Sequence, residues 1–141
     1  MKELHILLVE DNEGDIVLTL DAFEESKIKT KISVVKNGKD ALDFLFKREG
    51  FKDVEKPDMI LLDLNIPIFN GLEVLNKVKE DPILKKIPVI ILTTSSNPIE
   101  INKAHEYHAN SFVTKPIDMI EFLKTILAIE EFWLQICKLS D

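Results

Sequence analysis

Five side chains able to do polar chemistry stand at the ends of short aliphatic runs. Glu10 and Asp11 follow ILLV, Asp63 follows MILL, Thr93 closes VIILT, and Lys115 follows SFVT with Pro116 behind it. Three carboxylates, a hydroxyl and an ammonium would meet if those runs lay side by side. Carboxylates crowded together raise one another's pKa unless a cation offsets the repulsion. A hard divalent ion is suited to that task. Mg²⁺ keeps several waters and is usually held by one or two carboxylates together with a phosphoryl oxygen. With Lys115 and Thr93 beside it, a free carboxylate can act as a nucleophile toward phosphorus while the other groups stabilise the equatorial oxygens.

The runs that must position these groups are expected as strands at Leu4–Val9, Lys31–Val35, Asp58–Leu62, Val89–Thr93 and Ser111–Thr114. Their near-continuous Ile, Leu and Val content belongs to strands covered on both faces, and they are far too short to span a bilayer. Amphipathic stretches separate them, expected as helices at Asp15–Ser26, Lys39–Arg48, Leu72–Glu80, Pro98–His108 and Asp118–Cys137, with Asn37 and Asn97 as N-caps. Strict alternation of strand and helix predicts an α/β, doubly wound (βα)5 fold, and the polar strand ends would be neighbours in a parallel five-stranded sheet of the flavodoxin-like order 2-1-3-4-5. In such a sheet, ligands collect at the carboxyl ends of the strands, where these five residues stand.

Composition narrows the functions further. The 141 residues are 45% hydrophobic and 30% charged, with 18 basic against 25 acidic side chains and a net charge of −7. That suits one soluble domain with a core that needs no staples, so the whole chain, 1–141, is expected as a single domain. The acidic balance argues against direct nucleic-acid binding, which needs clustered Lys or Arg. Four glycines, at 14, 38, 50 and 71, leave no glycine-rich phosphate loop. The lone Cys137 cannot close an internal disulfide, and no secretory segment follows Met1, so the cytoplasm is the expected compartment. Cys137 itself reads as an inert tail residue, and His105 and His108 as solvated surface groups without a further metal ligand.

The motifs ILLVEDN at Ile6 to Asn12, MILLDLNIPIFNG at Met59 to Gly71, IPVIILTTS at Ile87 to Ser95 and SFVTKP at Ser111 to Pro116 resemble, in order, those of the receiver domain of two-component response regulators. By that likeness Asp63 is the phosphoacceptor, Glu10 and Asp11 the acidic pair that holds Mg²⁺ with Asp63, and Asn65 a further ligand through its backbone carbonyl. Thr93 and Lys115 would bind phosphoryl oxygens, and Thr93 and Phe112 would be the switch residues. The resemblance also implies a cis bond between Lys115 and Pro116. The implied reaction is transfer from a phosphohistidine on a sensor histidine kinase to Asp63, followed by signalling through helix four, strand five and helix five. The domain would thus be a phosphoacceptor rather than an enzyme. Onward relay of the phosphoryl group is the alternative. An aspartate-nucleophile phosphohydrolase fits less well, since its second aspartate would fall at Asn65. Thr94 stands where a smaller residue is frequent.

The last helix carries two apolar stripes. Ile120, Leu123, Leu127 and Leu134 are expected to pack on the sheet, whereas Phe122, Ile126, Ile129, Trp133 and Ile136 have no obvious internal target. The second stripe is therefore expected to form a homodimer interface, with residues 130–141 as an extension of the helix; the alternative is that the tail bends back and buries Trp133 against its own domain. The ending EEFWLQICKL and the long connection from Phe46 to Lys56 resemble stand-alone receivers of the cyanobacterial phytochrome response regulator type, which would make a phytochrome-type kinase one candidate partner.

Overall fold

The computed structural model describes residues 3–26, 28–94, 97–115 and 118–140, and places the backbone but not the side chains of Met119, Phe122, Leu123 and residues 133–140. Strands and helices alternate in the order β1 (Leu4–Val9), α1 (Glu13–Glu24), β2 (Thr30–Val35), α2 (Gly38–Leu45), β3 (Met59–Leu62) and α3 (Gly71–Glu80). A short 3-10 turn (Leu84–Lys86) leads to β4 (Val89–Thr93), α4 (Pro98–Glu106), β5 (Ser111–Thr114) and α5 (Met119–Ser140). The strands pair in parallel in the expected order, β2-β1-β3-β4-β5.

Strand side chains alternate between the two faces, and the core divides accordingly. Leu7, Val9, Ile60, Leu62, Val89 and Ile91 pack on one side with Leu42, Leu45, Val74, Leu75 and Ala104 from α2, α3 and α4. Leu4, Ile6, Leu8, Met59, Leu61, Ile90 and Leu92 pack on the other with Ala22 and Phe23 of α1. The strands of β1, β3 and β4 are buried throughout because both faces are covered.

Asparagines start the helices between the strands. Asn12, Asn37, Asn70 and Asn97 each accept a backbone N–H through the side chain, and Asn70 and Glu73 form a reciprocal capping box. Two helices are shorter than predicted. In α2 the chain turns after Leu45, with Lys47 at φ 55° and the Arg48 N–H on the Asp43 carbonyl at 2.7 Å. In α4 it turns before His108, which adopts φ 66°. At the foot of the sheet, Lys79 of α3 donates to the carbonyls of Lys85 and Ile87 and to Asn110 Oδ1, at 3.0, 2.9 and 3.2 Å.

Helix α5 corrects one expectation. Ile126 and Ile129, assigned to a dimer face, are buried in the core beside Leu4, Ile6, Ala22 and Phe23, whereas Ile120 and Leu127, assigned to the sheet, are exposed. Both stripes are apolar, and helical periodicity locates stripes without saying which one meets the sheet. The side chains of Phe122, Trp133 and Ile136, the remaining members of that face, lie outside the described residues.

Candidate functional site

The strand ladders carry the polar residues to one rim. The Glu10 N–H continues the β1–β2 ladder to the Val35 carbonyl, the Asp63 N–H reaches the Val9 carbonyl, and the Lys115 N–H reaches the Thr93 carbonyl, at 3.0, 3.0 and 2.7 Å. Backbone pairing thus fixes the bases of Glu10, Asp63, Thr93 and Lys115. Sheet register brings together residues up to 105 positions apart in the chain.

At the centre lies the Lys115 ammonium. It donates to Glu10 Oε2, to Asp15 Oδ2 at 2.8 Å and to Asp63 Oδ2 at 3.0 Å. The other Asp63 oxygen, Oδ1, accepts the backbone N–H of Asn65 at 3.1 Å. The Thr93 hydroxyl also hydrogen-bonds Asp63, and Glu10 Oε1 accepts the Asn12 N–H at 3.1 Å. Glu10, Asp63 and Thr93 are buried, whereas Asp11, Asn65 and Thr94 lie exposed at the lip.

These contacts drive the two buried carboxylates apart in acidity. Burial alone would raise the pKa of Asp63, but the Asn65 N–H, the Lys115 ammonium and the Thr93 hydroxyl outweigh it and hold the group below the ordinary carboxylate range. Glu10 has fewer compensating bonds and is pushed up to about 7, chiefly by burial. Burial also opposes the charge on Lys115, yet its bonds to Asp15, Glu10 and Asp63 prevail and hold it above the ordinary lysine range. The site therefore keeps a charged cation next to an ionised carboxylate, with Glu10 able to take up a proton near neutrality. Divergent acidity of neighbouring carboxylates separates their chemical roles, and here it leaves Asp63 the more acidic of the pair.

Two glycines wall the site. A Cβ on Gly71 would come within 2.5 Å of the Asp63 carbonyl oxygen, and one on Gly38 within 2.0 Å of the Phe69 carbonyl oxygen. The Gly38 N–H also donates to the Pro67 carbonyl at 3.0 Å. Together they press the start of α2 and the start of α3 onto the loop that follows Asp63. Inside that loop the exposed Ile68 adopts φ 73°, an uncommon setting for a β-branched residue.

Of the predicted site residues, the structure joins Asp63, Glu10, Thr93 and Lys115 directly, and sets Asn65 against Asp63 through its backbone. Asp11 stays at the exposed edge, outside the lysine cluster. Phe112 on β5 is partly buried against the α2–α3–α4 side of the core. Asp15 was missed. It is the third residue after the N-cap Asn12, a position from which an acidic side chain can reach back toward the strand ends, and that capping pattern was the available signal. The expected cis bond at Pro116 lies outside the described residues, as does Ser95. His105 and His108 are exposed, and among the described residues no three His, Cys, Asp or Glu side chains are already gathered as a metal cage. None of the described helices is long and apolar enough to cross a membrane.

Comparison with known proteins agrees with this arrangement. Residues 6–127 match the response regulator receiver domain family. The response regulator Rcp1 of Synechocystis is 38% identical over 130 residues, covering 92% of this chain and 88% of its own. FilR2 of Methanothrix harundinacea is 40% identical over 129 residues, covering 92% and 83% respectively. Among solved structures, the phosphorylated cyanobacterial phytochrome response regulator RcpA superimposes with a TM-score of 0.90 at 38% identity, covering 94% of this chain and 95% of its own. The Mn²⁺-bound form of Rcp1 gives a TM-score of 0.87 at 37% identity, covering 93% and 94%. With its strand order, its rim of acidic residues and lysine, and these relatives, the chain belongs to the response regulator receiver domain family, phosphoacceptor signalling domains of two-component systems rather than classical enzymes.

Proposed function

We propose that Asp63 accepts a phosphoryl group from a phosphohistidine of a sensor histidine kinase. The observation that carries this reading is the Asp63 carboxylate itself, held ionised in a buried site with the Lys115 ammonium and the Thr93 hydroxyl on it. An Asp63 oxygen attacks phosphorus as the P–N bond breaks; the leaving imidazole nitrogen keeps the bonding pair and takes a proton from solvent water. Lys115 and Thr93 then hold oxygens of the transferred group as charge shifts onto them.

The donor set suits a hard divalent ion. Glu10 and Asp63 are oxygen donors whose crowding favours a cation, Asp11 follows Glu10 in the chain, and the Asn65 backbone meets Asp63 through its N–H. Glu10, Asp11, Asp63 and Asn65 would hold Mg²⁺. The ion would supply neutralisation of charge on the phosphoryl oxygens. The Mn²⁺-bound form of Rcp1 supports the binding of a divalent ion.

Phosphorylation would bias a two-state surface, with Thr93 leaving Asp63 for the new oxygens and Phe112 following on β5 toward α4 and α5. The phytochrome regulators among the relatives support a histidine kinase as the donor, and onward relay uses the same chemistry in reverse. Incubation with Mg²⁺ and acetyl phosphate, followed by intact mass measurement, is expected to give one phosphoryl adduct in the wild type and none in Asp63→Asn. An adduct that survives the substitution would refute the assignment.

A further inference from the structure

An ammonium has three N–H donors, and all three of Lys115 are engaged: by Glu10 Oε2, by Asp15 Oδ2 at 2.8 Å and by Asp63 Oδ2 at 3.0 Å. For Lys115 to hold a phosphoryl oxygen, one of these bonds must first be released. The side chains of Glu10 and Asp63 are 3% and 8% exposed, so water cannot replace what they would lose. Asp15 is 30% exposed, and water can take over there. Its bond is therefore the one that water can replace.

Asp15 is also held independently of the lysine. It sits in the first turn of α1, with its N–H on Asn12 Oδ1 at 2.9 Å and its carbonyl accepting the Thr19 hydroxyl at 2.7 Å. Release of Lys115 leaves the helix start in place, so the same carboxylate can recapture the ammonium when the phosphoryl group departs. None of this requires Asp15 to touch phosphorus or metal.

We propose that Asp15 is a positioning residue for the phosphorylation of Asp63: it holds the third N–H of Lys115 in the unmodified protein and must yield it to the arriving phosphoryl group, which makes it a brake on transfer. The proposal rests on Asp63 being the phosphoacceptor. In the test reaction with acetyl phosphate, an Asp63 oxygen forms the new P–O bond, acetate leaves with the electrons of the old one, and no proton need move.

The test compares adduct formation in the wild type, Asp15→Ala, Asp15→Glu and Asp63→Asn at saturating Mg²⁺, with circular dichroism confirming the fold. Asp15→Ala is expected to react about fivefold faster, the size of one partly exposed charge pair. Asp15→Glu, which keeps a carboxylate near Lys115, should stay near the wild-type rate. The gain should persist at about 0.5 M salt, where repulsion between Asp15 and an anionic donor is screened. An Asp15→Ala protein that reacts no faster, or whose gain vanishes with salt, would overturn the brake while leaving Asp63 as acceptor. Absence of any Asp63 adduct in the wild type would instead overturn the underlying reading. Should Asp15→Ala fail to fold, Asp15→Ser carries the same expectation, because serine keeps a short polar group in the first helical turn.

Discussion

Carboxylates are buried in two regions of this molecule and are handled in opposite ways. At the rim, Glu10 and Asp63 share the Lys115 ammonium, and Asp63 gains a backbone N–H and a hydroxyl besides. At the seam between α1 and α5, Glu130 is equally buried, yet its Oε1 has no hydrogen-bond partner among the described residues. The Ser26 hydroxyl lies within reach of Glu130, but it also bonds the Ile28 carbonyl at 3.1 Å and has one proton to give. Burial accordingly raises the pKa of Glu130, with Ser26 offsetting only part of the rise. The contrast teaches that burial by itself does not prepare a carboxylate for chemistry. What separates a carboxylate held in its charged form from one pushed toward its neutral form is the cation and the N–H groups around it.

Removing the cation is the strongest way to break the contrast. Lys115→Ala leaves the buried Glu10 and Asp63 without their counter-charge and is expected to lower unfolding stability by about 3 kcal/mol at neutral pH, measured by urea denaturation. Adding Asp63→Asn to that variant should recover part of the loss, because one buried charge is then gone. A Lys115→Ala protein as stable as the wild type would show that water already solvates the rim.

Neutralising Glu130 should act in the other direction and more weakly. Glu130→Gln is expected to raise stability by about 1 kcal/mol at pH 7, read from thermal unfolding. The sign follows from proton binding. The folded chain holds the Glu130 proton above the ordinary value of 4.5, so the stability this group contributes is full below that pH and is lost as pH rises through the folded value. The advantage of the glutamine variant should therefore grow with pH over that window. A difference that stays constant from pH 4 to pH 8 would mean that the charge on Glu130 is not the cause.

Most of the fold was legible because each strand is an unbroken aliphatic run closed by a polar residue, and runs of that kind admit few arrangements. The rim was legible for the same reason: Glu10, Asp63, Thr93 and Lys115 occupy equivalent positions at strand ends, so sheet order alone brings them together. Asp15 escaped because its role depends on how the first turn of α1 aims a side chain, which no strand pattern records. Helix α5 escaped differently. Two apolar stripes satisfied the same periodicity, and only the packing of Ile126 and Ile129 against Ala22 and Phe23 decides between them. Long-range docking of a helix is a property of both surfaces, and the sequence of one stripe holds half of the information.

The two glycines beside the site bear on how this protein can vary. A methyl group at Gly38 would strike the Phe69 carbonyl, and one at Gly71 would strike the backbone of Asp63 and Leu64. A saturation scan scored by signalling output should therefore mark Gly38 and Gly71 as intolerant as Asp63, although neither carries a reactive atom. Tolerance to mutation around this rim would trace the walls that hold Asp63 in place as sharply as it traces the chemistry.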